Sequence, residues 1–357
     1  MNSNSKRNKF IVLFLIICLS IVVFLIGKSN FKESRIEFNY SDAVQSIDYG
    51  DITYIIGHKN PDSDTVISAI TYASLKEQLG VNCKPMISGK INNETKYILE
   101  RFNVTVPQIM EDAGNNNIIL VDHSSFSQAI NGMENANIVE IIDHHGLGGI
   151  QTANPIYIKD LPIGATATII YSSYIENNID IDETTAGLLL SAILSDTGGL
   201  TYSTTTKVDI DACNYLASIA KINDINDYYN VLIDYASSYD GMNDEEIFYS
   251  DYKEYEMSGI NVGITCINVN DENEDVMCER MKIFMQNNYD NQEMKHLFIL
   301  FNNAYSNNSK IIYYGEGTKE IAIKAFNDHT NDYIEFNSIL SRKKDVVPLL
   351  EKAYKDK

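Results

Sequence analysis

Positive charge is scarce in this chain: 28 Lys and Arg stand against 49 Asp and Glu, for a net charge of −21 and an isoelectric point near 4.6. A surface that coats a nucleic-acid polymer needs clustered Lys and Arg against the phosphates, so no such partner is expected. An anionic ligand would depend on a few local cations. Cysteine is sparse as well. Of five, Cys18 lies in an apolar stretch, and Cys83, Cys213, Cys266 and Cys278 form no C-x-x-C pair. Zinc and redox chemistry therefore lack support, and free, buried thiols are expected. No internal repeat is apparent.

Histidine is scarce too, and its placement is informative. Of six in the chain, four lie in short polar clusters: His58-Lys59-Asn60-Pro61-Asp62-Ser63-Asp64, Val121-Asp122-His123 and Asp143-His144-His145, with Ser195-Asp196-Thr197 as a fourth cluster. Each follows an apolar run that reads as a strand or helix (residues 54–56, 118–121, 138–142 and 186–194). In a parallel sheet the strand ends gather along one crevice. A single Asp after a strand is ordinarily a turn residue or helix cap, and Asp64 ahead of Thr65 has that alternative. A His-His pair can be a satisfied core feature. Carboxylates and imidazoles that repeatedly end apolar strands, however, are costly to bury without cations. Together the clusters point to a site for two divalent cations side by side.

The 357 residues leave room for an N-terminal appendage and two domains. Residues 10–27 are uncharged and long enough to cross a bilayer as a helix. Lys6, Arg7 and Lys9 precede them, and no small-x-small cleavage site follows, so an uncleaved anchor is expected in preference to a signal peptide. The expected layout is a basic cytoplasmic N-terminus (1–9), an anchor (10–27), a tether (28–48), a catalytic metal-binding domain (49–236), a linker (237–246) and a substrate-binding domain (247–357). This would be a single-pass membrane protein with extracytoplasmic catalytic domains, the cytoplasmic face being the alternative. Strand-like runs alternate with helical patterns over 49–236, which indicates βαβ units and a mostly parallel sheet. Helices are expected over 64–79 and 182–194, with Asp196 just beyond the second. Strands over 261–269, 297–301 and 310–314 suggest a smaller mixed sheet, followed by a helix over 346–354. The fold class is α/β.

These residues, with Pro162-Ile163-Gly164-Ala165-Thr166-Ala167-Thr168, residues 186–197, Asp251-Tyr252-Lys253-Glu254-Tyr255 and Ser341-Arg342-Lys343-Lys344, occur in the order of a known family. The chain resembles the DHH phosphoesterase superfamily and, within it, the manganese-dependent, family II inorganic pyrophosphatases, from about residue 50 to the C-terminus. The Asp-His-His triplet marks the whole superfamily; the Ser-Arg-Lys-Lys segment with Val347-Pro348 points to the pyrophosphatase branch. The resemblance implies that His58, Asp62, Asp64, Asp122, His144 and Asp196 ligate two metals. It implies that His145 touches substrate or leaving group, and that Lys253, Arg342 and Lys343, from a C-terminal domain closing over the metals, bind phosphate. The active site would lie in the cleft between the domains. Two Mn²⁺ are implied, with Co²⁺ able to substitute and Mg²⁺ accompanying the substrate, and a homodimer is possible. No nucleotide-binding regulatory module fits between the motifs.

The chemistry agrees with the residue types. Hydrolysis of pyrophosphate to two orthophosphates needs a nucleophile near neutral pH, which a hydroxide bridging two cations about 3.5 to 4 Å apart supplies. Four ligand carboxylates and two divalent metals leave the site about neutral, so an anionic substrate needs Lys253, Arg342 and Lys343 as further cations. Without the resemblance these three would read as a solvated basic patch. Imidazole among the ligands favours Mn²⁺ or Co²⁺ over Mg²⁺, and the start of the last helix offers N–H groups to phosphate.

Three departures bear on the substrate pocket. Gly198-Gly199-Leu200-Thr201-Tyr202 stands where the pyrophosphatases usually have bulky apolar residues and then a lysine. Gly146 stands where a basic residue is common, and Asn337-Ser338-Ile339-Leu340 replaces a proline-glycine turn. They motivate an alternative, a phosphoesterase of the same mechanism acting on short polyphosphate, a nucleotide or a dinucleotide, with Tyr202 as the candidate aromatic platform. A non-catalytic tethered binding module is a third reading, against which the intact ligand set argues.

Overall fold

The computed structural model describes residues 47–288, 296–327 and 333–355. Among them no helix is long and apolar enough to cross a membrane; none exceeds 16 residues, against the roughly 20 apolar residues that a bilayer asks for. Residues 10–27, on which the anchor expectation rested, lie outside the described residues. The expectation of a single-pass membrane protein with extracytoplasmic catalytic domains is corrected accordingly.

Six strands build the first sheet: β1 (Thr53–Ile56), β2 (Cys83–Ile87), β3 (Gln108–Ile109), β4 (Asn117–Val121), β5 (Asn137–Asp143) and β6 (Tyr157–Asp160). Every pairing is parallel, in the order β3-β2-β1-β4-β5-β6. A parallel sheet covered on both faces reads as continuous apolar runs, and Ile55, Ile56 and the whole stretch from Ile118 to Val121 are buried. The strand order reverses between β1 and β4. At such a switch point the connections leave in opposite directions and open a crevice beyond the carboxyl ends of the strands. His58, Asp122, His144 and His145 all follow strands β1, β4 and β5 into this crevice.

Side-chain caps set where the helices begin. Asp62 Oδ1 accepts from the Thr65 N–H at 2.9 Å and caps α1 (Ser63–Gln78). Asn92 does the same for α2 (Asn93–Arg101) at 2.7 Å. After α3 (Thr166–Glu176), Asp182 caps α4 (Glu183–Asp196) at 2.7 Å. The expected cap at Asp64 is thus supplied by Asp62, and Asp196 sits on the last turn of α4 rather than beyond it. Helices α5 (Lys207–Ile219) and α6 (Ile225–Ala236) complete this half. Gly57, between β1 and His58, cannot carry a side chain, because a Cβ there would lie 2.4 Å from Thr65 Cγ2 and 3.0 Å from the Val121 carbonyl.

The second half begins with α7 (Asp244–Phe248) and continues through β7 (Tyr252–Met257), β8 (Ile260–Val269), α8 (Glu274–Asn288), β9 (His296–Asn303), β10 (Asn308–Tyr314), α9 (Thr318–Phe326) and β11 (Tyr333–Phe336). A π-helical turn (Arg342–Val346) then runs into α10 (Val347–Lys355). The five-stranded sheet has the order β11-β10-β9-β8-β7; β8 and β9 pair parallel and the other neighbours antiparallel, the mixed sheet expected. Alternate residues of β9 face opposite cores, as a pleated strand requires. Leu297, Ile299 and Phe301 pack with Met277, Met281 and Met285 of α8, whereas Phe298 and Leu300 pack with Ile321 of α9 and Leu350 of α10. The four cysteines described are free, with Cys83 and Cys213 buried and Cys266 and Cys278 only half-buried.

Because Leu300 is buried in the core shared by α9 and α10, Leu300→Ala is expected to cost about 2–5 kcal/mol. Urea unfolding of the variant measures it.

Candidate metal centre

The site is built from the ends of three strands and two helices. His58 leaves β1 with its Nδ1 2.7 Å from the Lys59 carbonyl, and His144 leaves β5 with its Nδ1 3.1 Å from the Ile163 carbonyl. A carbonyl only accepts, so each Nδ1 carries a proton, and in the neutral ring each Nε2 is left with a lone pair. Those Nε2 atoms face carboxylate oxygens. His58 Nε2 is 3.3 Å from both Asp62 Oδ2 and Asp122 Oδ2, and His144 Nε2 is 3.4 Å from Asp122 Oδ1 and 3.2 Å from Asp196 Oδ2. Among the described residues His58 Nε2 and Asp196 Oδ2 are buried without a hydrogen-bond partner.

Acceptors facing acceptors in a buried pocket require protons or cations between them. The groups respond as a set that cannot hold all its charge. Burial foremost, then the charges of Asp122, Asp196 and Asp62, hold the Asp64 carboxyl well above the usual carboxylate range, and Asp196 is raised as well, again chiefly by burial. Asp122 goes the other way: against burial, its hydrogen bonds to His144 and His58 hold it well below that range. Burial and Lys253 pull the His58 imidazole down, but Asp62 and Asp122 outweigh them and push it up to about 9. Three groupings could each hold an ion: His58, Asp62 and Asp122; Asp64, His144 and Asp196; and Asp122, His144 and His145. Asp122 and His144 recur, so two neighbouring cations could share Asp122. The Lys343 ammonium lies against the His144 ring, 3.0 Å from Nε2 and 3.1 Å from Nδ1, and 3.8 Å from Asp196 Oδ2, bringing a positive charge to the edge of the acid cluster. Nitrogen with oxygen donors, each imidazole oriented by a backbone carbonyl, fits manganese.

Backbone features hold these acids in place. Asp64 takes the Thr166 and Ala167 N–H groups at 2.7 and 2.9 Å, which puts its carboxylate on the N-terminus of α3, where the dipole favours negative charge. That is the work of the 162–168 segment, for which the sequence suggested no role. Asp122 adopts a left-handed backbone (φ 63°), at a cost of order 1–3 kcal/mol, fixed by its N–H on the Ile142 carbonyl at 2.9 Å. Thr65 Oγ1 and Thr166 Oγ1 donate to its two oxygens at 2.7 and 3.0 Å.

His145 stands apart from His144. Its Nδ1 shares a proton with Asp143 Oδ1 at 3.0 Å, and Asp143 also takes the His144 and His145 N–H groups. Burial first, then Lys253 and His144, hold the His145 imidazole well below its ordinary value. It is neutral, with Nε2 left for other partners. Across a cleft of about 160 Å³ from Asp62, Asp64, His145 and Asp196 lie Lys253, Arg342 and Lys343. All ten residues singled out from sequence therefore meet at one place. Lys253, on β7, is buried and its pKa is raised despite burial and Arg342, because Asp251, Asp122 and Asp62 oppose them. Arg342 is anchored by Asp251 Oδ1 at 2.7 Å, a partner the sequence offered no reason to choose. Arg342 and Lys343 lie in the π-helical turn just ahead of α10, and the Ser341 N–H at that turn is taken by Asp345 Oδ2 at 2.8 Å.

The departure at residues 198–202 has a packing reason. Gly198 and Gly199 have φ of 57° and 62°, and a Cβ on them would lie 2.2 Å from the Tyr202 ring and 2.3 Å from the Tyr229 ring respectively. The glycines make room for two tyrosines. Tyr202 lies on Gly198 with its hydroxyl 3.5 Å from Asn302 Nδ2, so one ring face is already covered. Gly198→Ala should lower stability by about 1–3 kcal/mol through backbone strain and the ring clash. Adding Tyr202→Ala should recover part of that loss in a thermal melt, and no recovery would mean that the ring does not set the requirement for glycine.

Comparison with known proteins agrees with this geometry. Residues 52–193 match the DHH family, N-terminal domain, and residues 231–353 match the DHHA2 domain. The chain is 37% identical over 314 residues to a manganese-dependent inorganic pyrophosphatase of Methanothrix thermoacetophila, covering 85% of this chain and 99% of that protein. It is likewise 37% identical over 310 residues to a probable manganese-dependent inorganic pyrophosphatase of Clostridium acetobutylicum, covering 86% and 99%. A crystal structure of a putative family II inorganic pyrophosphatase from Methanococcus jannaschii superposes with a TM-score of 0.77 at 34% identity, covering 85% of this chain and 99% of that one. With its DHH and DHHA2 domains in sequence and a site of imidazoles and carboxylates at the switch point, the chain belongs to the manganese-dependent, family II inorganic pyrophosphatases of the DHH superfamily.

Proposed function

We propose that the chain hydrolyses inorganic pyrophosphate to two orthophosphates, with two manganese ions held by His58, Asp62, Asp64, Asp122, His144 and Asp196. The observation that carries this reading is the pair of imidazole Nε2 atoms buried against carboxylate oxygens and faced by three cationic side chains across one small cleft. When bound, such a cation pair supplies a nucleophile near neutral pH and positive charge against the diphosphate. The chain's own residues do the rest. Lys253, Arg342 and Lys343 bind the phosphate oxygens; the Arg fork is pre-aligned by Asp251, while Lys343, on a flexible stem, moves off the His144 ring to reach its oxygen. Asp143 keeps the proton of His145 on Nδ1, so that Nε2 accepts from the substrate side. Residues 237–246, between α6 and the second sheet, serve as the linker of the proposed domain division at 49–236 and 247–357. The homodimer implied by the resemblance is supported by Ile158, exposed on the edge strand β6, and by Leu161, exposed just after it.

A nucleotide or dinucleotide substrate is disfavoured by size. The cleft of about 160 Å³ is well below the roughly 300–1,000 Å³ of pockets that enclose drug-sized ligands. Phosphate release from pyrophosphate and tripolyphosphate, set beside mononucleotide release from a linear dinucleotide, by the purified, manganese-loaded chain compares the readings. Pyrophosphate is expected to be turned over most efficiently, and preference for the dinucleotide would refute the proposal. Asp122→Ala should abolish both manganese retention and turnover. Lys343→Ala should raise KM more than it lowers kcat, because the lost contact is to substrate.

A further inference from the structure

We propose that Glu94, which the ligand set does not include, is a positioning residue for the cation pair: one buried carboxylate that ties the helix end bearing Asp62 and Asp64 to the helix end bearing Asp196. The inference rests on the ligand reading above and adds to it the element that fixes the spacing of those acids. Glu94 lies in the first turn of α2 and is 6% exposed. A single oxygen, Oε2, accepts from Ser63 Oγ at 2.8 Å and from Ser195 Oγ at 2.9 Å. Ser63 stands between Asp62 and Asp64, and Ser195 immediately precedes Asp196. Thr95 Oγ1, on the residue after Glu94, lies 2.9 Å from Ser63 Oγ and adds a second tie from α2 to α1.

Two features make this arrangement costly unless it does something. Among the described residues Glu94 has no cationic partner, and a buried carboxylate held only by hydroxyls is less well compensated than one in an ion pair. It also adds an acid to the lining of a cleft already rich in them, and burial pushes its own carboxyl up to about 7 against the two serine hydroxyls. What it gains is geometry. Ser63 is the first residue of α1, and Ser195 and Asp196 are the last two of α4, and helix ends are the parts that fray. Asp196 is 30% exposed at its side chain and carries its charge at a helix C-terminus, where the dipole opposes it. Repelled by Asp62 and Asp64, it would swing outward if the last turn were free. The Glu94 bridge holds that turn against α1, so that the oxygens of Asp64 and Asp196 stay in the same grouping as His144 Nε2. Residues that orient ligands from outside typically contribute a factor of about 10–100 in metal affinity.

The test uses the full-length chain and Mn²⁺ alone. Manganese retention is measured by competition with a chelator, and the pair by electron paramagnetic resonance, which separates coupled from isolated Mn²⁺. Glu94→Ala should weaken at least one of the two ions by about 10–100-fold and replace the coupled signal by an isolated one. Glu94→Gln, whose amide oxygen can still accept from both serines, should keep the coupled signal. If Glu94→Ala fails to fold, Ser63→Ala and Ser195→Ala each remove one arm and should each weaken retention. Glu94→Ala with two ions held at unchanged affinity, or both serine variants indistinguishable from the parent, would overturn the proposal. A parent chain that holds no manganese pair overturns the ligand reading itself, whereas a parent that holds the pair beside unaffected variants overturns only the role of Glu94.

Discussion

Like charge brought out of water is the constraint on which this architecture turns. Asp62, Asp64, Asp122 and Asp196 converge in a largely buried pocket, and the two imidazoles between them turn Nε2 at the carboxylate oxygens, so that protons or cations have to lie in between. At an effective dielectric near 20, two unit charges about 4 Å apart repel by about 4 kcal/mol. Four carboxylates therefore oppose folding unless cations enter. The shifts divide accordingly, with Asp64 pushed up and Asp122 held down.

The fold meets this constraint with partial charges before any ion enters. Reversal of strand order between β1 and β4 leaves a crevice at the strand ends. Asp62 caps its own helix and Asp64 caps α3, so two of the four acids sit on favourable dipole ends. Asp196 has the opposite placement, at the end of α4, and it is the acid nearest the Lys343 ammonium. The second sheet delivers its cations from across the cleft: Lys253 from β7, and Arg342 with Lys343 from the turn just ahead of α10. Substrate charge and protein charge are thereby balanced only when the two halves meet.

Much of this was legible from residue order, and the rest was not, for identifiable reasons. Strands β1, β4 and β5 announced themselves because buried parallel strands are continuous apolar runs ended by polar residues. Site residues followed from those ends and from the resemblance. Asp143 and Asp251 were visible as members of quoted motifs, but their work of orienting His145 and Arg342 depends on contacts that spacing does not encode. Glu94 carried no signal at all, being an ordinary acid in the first turn of a helix until Ser63 and Ser195 converge on it. Gly198 and Gly199 motivated an alternative substrate, and what residue order did not disclose is that they accommodate the rings of Tyr202 and Tyr229. Hydropathy over residues 10–27 suggested a membrane anchor; that stretch lies outside the described residues, among which no helix is long and apolar enough to cross a membrane.

Anomalous diffraction at the manganese absorption edge, from crystals of the full-length chain grown with Mn²⁺, tests the central claim most directly. The account requires two peaks in one pocket, one bounded by His58, Asp62 and Asp122 and the other by Asp64, His144 and Asp196. A single peak, or peaks away from these side chains, would contradict it.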